Sequence, residues 1–316
     1  MTATERDQDD FARSSPAEGT ERAISDISDE VTVFSADSAA TTVGASIREV
    51  WAFRGFISYM TRRNLRTTYL RSYLGWIWSL LNPIAEVAIY SLVFGVLLNV
   101  GRAVPDAPGG FSSFPHFLMS GIAIWGFYRS VSGKVLNNFN GTVVLRRKLY
   151  FPPAAAAIST ALSTLVEASI LLVVVVAFFG AWGHLSIHAL ALIPAAAFAA
   201  TTGLGVGLAL SVANAKYRDV SHLYTIALRL SFYLLPLIWP VQAATERFAG
   251  GAEWIVPIVA SNPFAKMIEF GRTGILFQQW PPLIDWLYLG GFSAVSLYVG
   301  WAIFARTSAD VAEGLQ

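Results

Sequence analysis

Five stretches of this chain stay apolar for about 20 residues: 74–100, 154–181, 188–212, 223–241 and 283–305. A helix crossing a bilayer needs about that length, because its backbone donors and acceptors must pair internally across roughly 30 Å of hydrocarbon. A sixth stretch, 114–138, is interrupted by Arg129, Lys134 and Asn137, yet Phe117-Leu118-Met119 through Ile122-Ala123-Ile124-Trp125 is too apolar for a loop. Pro152-Pro153 suits the first turn of the third span, and Gly180 and Gly183 suit its end. Between the last two spans, Ser261-Asn262-Pro263 reads as an N-cap followed by proline at the first helical position. It predicts a short helix through about Phe270, before Gly271 and Gly274. With Trp254-Ile255-Val256-Pro257 ahead of it, the pattern predicts two short helices dipping back into the outer leaflet.

Charge sets the count and the sidedness. With six spans, Arg62, Arg63, Arg66 and Arg71, the run Leu145-Arg146-Arg147-Lys148-Leu149, the run Lys216-Tyr217-Arg218-Asp219, and Arg306 all fall on one face. Of the intervening loops, 101–113 carries one arginine, 182–187 none, and 242–282 is a long segment of mixed charge. Five spans would scatter the basic clusters over both faces, against the tendency of Lys and Arg to stay cytoplasmic. The prediction is a multi-pass protein of the cytoplasmic membrane with both termini inside.

Composition agrees: 54% of residues are hydrophobic and 14% charged, against about 25% charged in soluble domains. The formal charge of +1 conceals an asymmetry. Residues 1–42 hold ten acids and three basic groups, leaving 19 basic against 11 acidic in the remainder. Such a Ser-, Asp- and Glu-rich segment buries too little apolar surface to offset its ordering entropy, so it is predicted to be a disordered cytoplasmic tail. It lacks the basic start and apolar core of a signal peptide, so the first span is expected to insert unaided. The chain has no cysteine, and its four scattered histidines offer no metal spacing. The domain reading is therefore 1–42 tail, 43–73 interface and gate region, 74–305 six-span domain, and 306–316 cytoplasmic tail.

Several motifs together resemble the ABC-2 family of exporter permeases, in particular its Wzm-type branch that moves lipid-linked polysaccharides. They are Arg66-Thr67-Thr68-Tyr69-Leu70-Arg71-Ser72-Tyr73-Leu74-Gly75-Trp76 with Asn82-Pro83, Gly121-Ile122-Ala123-Ile124-Trp125-Gly126-Phe127, and Leu145 to Pro152. Lys216-Tyr217-Arg218-Asp219-Val220 and Ser261-Asn262-Pro263-Phe264 complete the set, and the resemblance covers about residues 45 to 305. Where the family often has an acid after the Phe-Pro of the first cytoplasmic loop, Pro153 and Ala154 stand here. The resemblance implies an all-α integral membrane fold of the type V exporter kind: six transmembrane helices, an N-terminal amphipathic interface helix and short re-entrant extracellular helices. It also implies a dimer of two copies above two nucleotide-binding ABC ATPase subunits, which bind ATP and Mg. A phosphate-cradling loop needs G-x-x-x-x-G-K-[ST], but Gly133-Lys134 is followed by Val135 and preceded by Tyr128 at the first glycine position. No cofactor or nucleic acid is expected on this chain. Within the branch, the Arg- and Ala-rich sequence is most similar to exporters of actinobacterial cell-wall galactan.

The loop 142–151 is short, basic and rigidly joined to a span, so it can transmit a push. By resemblance Arg146, Arg147, Lys148, Leu149, Tyr150 and Phe151 form a coupling helix docked on the ATPase; the same cations would also hold orientation and touch anionic lipid. Residues 47–71 alternate large apolar groups with arginines, the pattern of a helix lying in the membrane interface. The resemblance implies interface and gate helices carrying Arg54, Arg62, Arg63, Arg66 and Arg71; the plain alternative is an anchor.

Ionisable groups within the bilayer cost about 2.5–3.5 kcal/mol near its centre, so Glu86, Arg129, Glu167 and Arg229 should face protein or water. Asn82, Glu86 and Tyr90 recur every four residues and share a face, as do Trp125, Tyr128, Arg129 and Ser132. These seven are the candidate substrate pathway, with aromatic planes for the C–H faces of sugars and polar groups for hydroxyls. The alternative makes them structural, with Glu86 and Glu167 pairing with Arg129 or Arg229. Ala199, Gly203 and Gly207 form a small-residue ridge for close helix packing. Two other functions compete with export of a lipid-linked glycan. One is an ABC-2 exporter of drugs or small lipids; the other is a membrane glycosyl- or acyltransferase, for which Glu246, Glu253, Glu269 and Asp285 offer no recognisable catalytic spacing.

Overall fold

The computed structural model describes residues 43–68, 75, 77–100, 104, 108, 113–146, 151–248, 251 and 254–314. The predicted tail 1–42, Arg71 and residues 147–150 lie outside them. Helices α1 (Val43–Ala52) and α2 (Arg54–Thr68) precede α3 (Ile77–Tyr90), which a π-helical turn, Ser91–Leu97, prolongs. Then come α4 (Phe114–Leu136), α5 (Asn138–Arg146), α6 (Pro153–Ala181), a 3-10 turn (Ile187–Ala191), α7 (Leu192–Lys216) and α8 (Asp219–Leu234). The last are α9 (Val241–Phe248), α10 (Ile255–Ala260), α11 (Pro263–Ile275) and α12 (Leu283–Gly314). No strand occurs among the described residues.

Four segments are long and apolar enough to cross a bilayer: Leu80–Leu97, Pro153–Ala181, Ile187–Lys216 and Leu283–Thr307. They coincide with four of the six predicted spans. The second predicted span is the 23-residue α4, which carries Arg129 and Lys134 but is the most enclosed helix, walled by α6, α7 and α11. The fifth is shorter than predicted. Helix α8 starts at Asp219 and stops at Leu234, about 24 Å at 1.5 Å per residue, instead of running over 223–241. Pro236 cannot donate to the helical ladder, and its ring would collide with the carbonyl four residues back, so the helix breaks ahead of it. The sixth runs further than expected, through the predicted tail to Gly314.

Local chemistry places the ends. Helix α6 begins at Pro153 and closes with His184 N–H on the Phe179 carbonyl at 3.1 Å and Gly183 N–H on Gly180 at 3.0 Å. Gly183 has φ +69°, the left-handed conformation this double cap demands. Helix α11 opens with the Asn262 side chain accepting from the Phe264 N–H at 2.9 Å and Pro263 at the first position, as the sequence predicts. It does not stop near Phe270. Gly271 and Gly274 lie within the helix, where an added Cβ would meet Ile124 at 2.9 Å and Ala191 at 2.5 Å. Both glycines permit contact rather than termination.

The core is built on α4 and α7. A Cβ on Gly203 or Gly207 would lie 2.9 Å from the carbonyls of Tyr128 and Ser132 in α4. On the other side of α7, the backbones of Gly205 and Gly300 touch, bringing α12 equally close. Thr202 and Ser293 share a hydroxyl hydrogen bond of 3.0 Å across that seam. Small residues are what allow polyamide backbones to approach where water gives no hydrophobic drive.

Candidate functional site

The basic segments gather at one end of the bundle. There α4 ends, α6 begins, and α7 turns into α8 through Lys216 and Arg218. Phe139 of α5 packs on Phe304 at 5.4 Å, which brings Arg306 to the same end. Helix α5 leads out towards residues 147–150. Of the coupling set, the Arg146 side chain, Arg147, Lys148, Leu149 and Tyr150 lie outside the described residues. Phe151 is buried and stacks on Phe56 of α2 at 4.7 Å. From that stack α2 runs lengthwise along α6 in the same direction: Thr61 faces the Ser159 carbonyl at 3.4 Å, and Thr68 donates to Glu167 at 3.0 Å. Ile57 and Met60 are buried, whereas Arg54, Arg62, Arg63 and Arg66 are exposed. The sequence predicted one helix lying in the interface; the structure instead has two helices broken at Phe53, the second running along the spanning helix α6 because Ile57 and Met60 bury their side chains.

Glu167 joins three helices. One oxygen accepts from Thr68 of α2, and the other pairs with Lys134 of α4 at 2.6 Å. Its partner is therefore neither Arg129 nor Arg229, the arginines the sequence suggested. A cavity of about 210 Å³ lies beside this pair between α3, α4 and α6, lined by Pro83, Glu86, Arg129, Ser130, Lys134 and Glu167. No hydrogen bond or ion pair links Glu86 or Arg129 to another described residue. On α3, Asn82 is exposed while Glu86 and Tyr90 are half-buried. Tyr90 stacks on Phe232 of α8 at 5.3 Å.

The other predicted pathway face is packed. Trp125, Tyr128 and Ser132 are buried, and Arg129 alone of that set is exposed. Tyr128 meets Phe264, at the tip of α11, with ring centroids 4.6 Å apart, and accepts from the Tyr224 hydroxyl at 3.1 Å. Trp125 lies edge-on to Phe264, and its indole N–H has no partner among the described residues. The tip of α11 thus reaches halfway along α4, while the other end of the helix is fastened by His184 to the Leu276 carbonyl at 2.8 Å. The two short helices the sequence predicted are both present, but only α11 is packed into the bundle; α10 buries none of its residues.

Sequence reasoning missed the residue that holds α11 in place. Arg272 is fully buried. Its guanidinium lies 3.6 Å from the Phe117 ring centre, in a notch left open by Gly121, where a Cβ would stand 2.6 Å from Nη2. It donates to the carbonyls of Pro236 at 2.8 Å and Leu237 at 3.1 Å, and to Glu269 at 2.6 Å. Those carbonyls are freed by the break after α8, and non-helical backbone at membrane depth must find such donors. The available signal was an arginine following a glycine within an otherwise apolar helical face.

A helical bundle with several bilayer-length apolar segments, a short helix inserted among them and charges gathered at one end defines a multi-pass membrane protein. The family model described as ABC-2 type transporter matches residues 56–270, and the chain belongs to that family. Among curated relatives, the O-antigen export system permease protein RfbA of Myxococcus xanthus is 23% identical over 85% of this chain and 98% of its own. The RfbA of Klebsiella pneumoniae is 26% identical, covering 80% of this chain and 92% of its own. The polysialic acid transport protein KpsM of Escherichia coli is 23% identical, covering 77% and 89%.

Proposed function

We propose that this chain is the transmembrane subunit of an ATP-driven exporter that carries a lipid-linked polysaccharide across the cytoplasmic membrane, between two copies of itself. The observation that carries the reading is α3. Only 6% of its apolar window is buried by the rest of the chain, yet it bears Asn82, Glu86 and Tyr90 in one stripe. Lipid suits the apolar flanks of such a helix but not the exposed Asn82, which needs protein or water beside it; Glu86 is half-buried at the cavity with α4 and α6. A second copy with α3 and α8 facing their counterparts supplies that environment and makes a polar path. Relatives named for O-antigen export and polysialic acid transport, matched over nearly their whole lengths, support a glycan as cargo.

In this reading the basic end is cytoplasmic, as are both termini. Two nucleotide-binding ABC ATPase subunits dock against residues 146–150, Phe151 being buried against Phe56, and supply the ATP and Mg chemistry. The cargo class extends to cell-wall galactan. Copurification from the native membrane followed by reconstitution tests the proposal. ATP-dependent sequestration of lipid-linked glycan inside inverted vesicles is the expected result. Failure to retain any ATPase, or glycan transferase turnover by the isolated chain, would overturn it.

A further inference from the structure

The loop that would receive the ATPase hangs on α5, and the question is what fastens α5 to the rest of the bundle. Helix α4 ends at Leu136, Asn137 breaks the helix, and α5 starts at Asn138. At this break stands Asn214, in the last turn of α7 and 1% exposed. Its Nδ2 faces the Leu136 carbonyl at 3.4 Å and the Asn137 Oδ1 at 3.3 Å, while its Oδ1 accepts from the Ser221 N–H at 3.1 Å.

The two backbone partners are orphans of helix ends. The last four carbonyls of a helix and its first four N–H groups lack intrahelical partners. Leu136 closes α4, and Ser221 is the third residue of α8. The partners also fix the orientation of the amide, because a carbonyl can only accept and a backbone N–H can only donate. One side chain therefore caps α8 and holds the root of α5. Neither a carboxylate nor an apolar side chain can do both.

We infer that Asn214 is a positioning residue that makes the root of the ATPase-docking arm and the N-terminus of α8 move as one body. Displacement of α5 then passes through Asn214 into α8, and through Tyr90 and Phe232 into α3. The inference rests on the export reading, and deepens it by naming the joint. Thr160, which donates to Asn138 Oδ1 at 3.0 Å, ties the same root to α6 and leaves the α8 connection to Asn214.

The test separates ATP hydrolysis from transport in the reconstituted complex, using Asn214→Ala and Asn214→Asp. Asp keeps the cap on α8 but turns an acceptor towards the Leu136 carbonyl. Both variants are expected to keep hydrolysis within about twofold while export per ATP falls about tenfold, the scale set by losing a buried amide link. Unchanged export per ATP, or hydrolysis and export falling together, would overturn the inference. A second measurement does not need the variants to fold. The chain has no cysteine, so spin labels at Gly141→Cys and Tyr217→Cys, both exposed, report the distance between the arm and the α7–α8 turn. That distance should hold constant between nucleotide-free and trapped states while both sites move relative to a label at Trp182→Cys. A change in the 141–217 distance would sink the joint. If nothing moves relative to Trp182, or wild-type vesicles sequester no glycan, the export reading itself fails.

Discussion

Replacing Arg272 by Met isolates what a buried guanidinium does for a helix that does not cross the membrane. Met roughly matches its length and packs on Phe117, but it donates nothing to Pro236 and Leu237. Each carbonyl left unpaired in a buried site costs about 1–3 kcal/mol, so the pair accounts for about 2–6 kcal/mol. Loss of the stack on Phe117 adds on the order of 1–2 kcal/mol. Against this, the desolvation of a buried cation is relieved, which for buried ion pairs is often worth about 1–4 kcal/mol. Glu269 is one-third exposed and rehydrates, so its lost partner weighs little. The net expectation is a loss of about 2–4 kcal/mol, read as reduced stability to unfolding in detergent. Protease cutting after residues 235–240 should rise with it, because the freed break opens first. Arg272→Lys should recover only part, since an ammonium cannot reach both carbonyls as the planar fork does. Wild-type stability and wild-type protease resistance in Arg272→Met would refute the reasoning.

Other substitutions address the remaining contacts. Gly205→Ala should cost about 1–3 kcal/mol or more, because its methyl lands on the α12 backbone, while Gly291→Ala, with open space around it, should leave thermal stability unchanged. Lys134→Glu and Glu167→Lys should each lower stability modestly and recover when combined; Lys134 is 44% exposed, so the coupling in a double-mutant cycle should stay near 0.2–1 kcal/mol, and strict additivity would dismiss the pair. Tyr128→Phe removes the hydroxyl bond to Tyr224 at about 0.5–1.5 kcal/mol. Because Tyr128 is buried against Phe264, glycan export should stay unchanged while the complex stays assembled, and a fall in export would return Tyr128 to the pathway.

Apolar length alone located the long helices, and cap chemistry located their starts at Pro153 and Pro263. The misreadings share a cause. Gly271 and Gly274 looked like stops because glycine marks both a helix end and a close approach, and only the neighbours at Ile124 and Ala191 decide which. The partners of Arg272 are backbone carbonyls 35 and 36 residues away, which have no residue type to betray them. Glu167 and Lys134 were both visible as charges in apolar stretches, but their pairing depends on how far α6 rises beside α4. The polar stripes were legible as faces of helices. Which face is open and which is covered by Phe264 was not, because the covering helix comes from more than 100 residues further along the chain.

The seat of α11 also fixes an order of assembly. Thirteen residues are too few to cross a bilayer, and the seat of Arg272 is made before the helix that carries it: the Gly121 notch in α4 and the broken end of α8, with only the α12 side, Asp285, Trp286 and Phe292, still to come. During synthesis Arg272 therefore has Phe117, Pro236 and Leu237 waiting as it emerges, and the insertion machinery never has to hand that arginine to bare lipid.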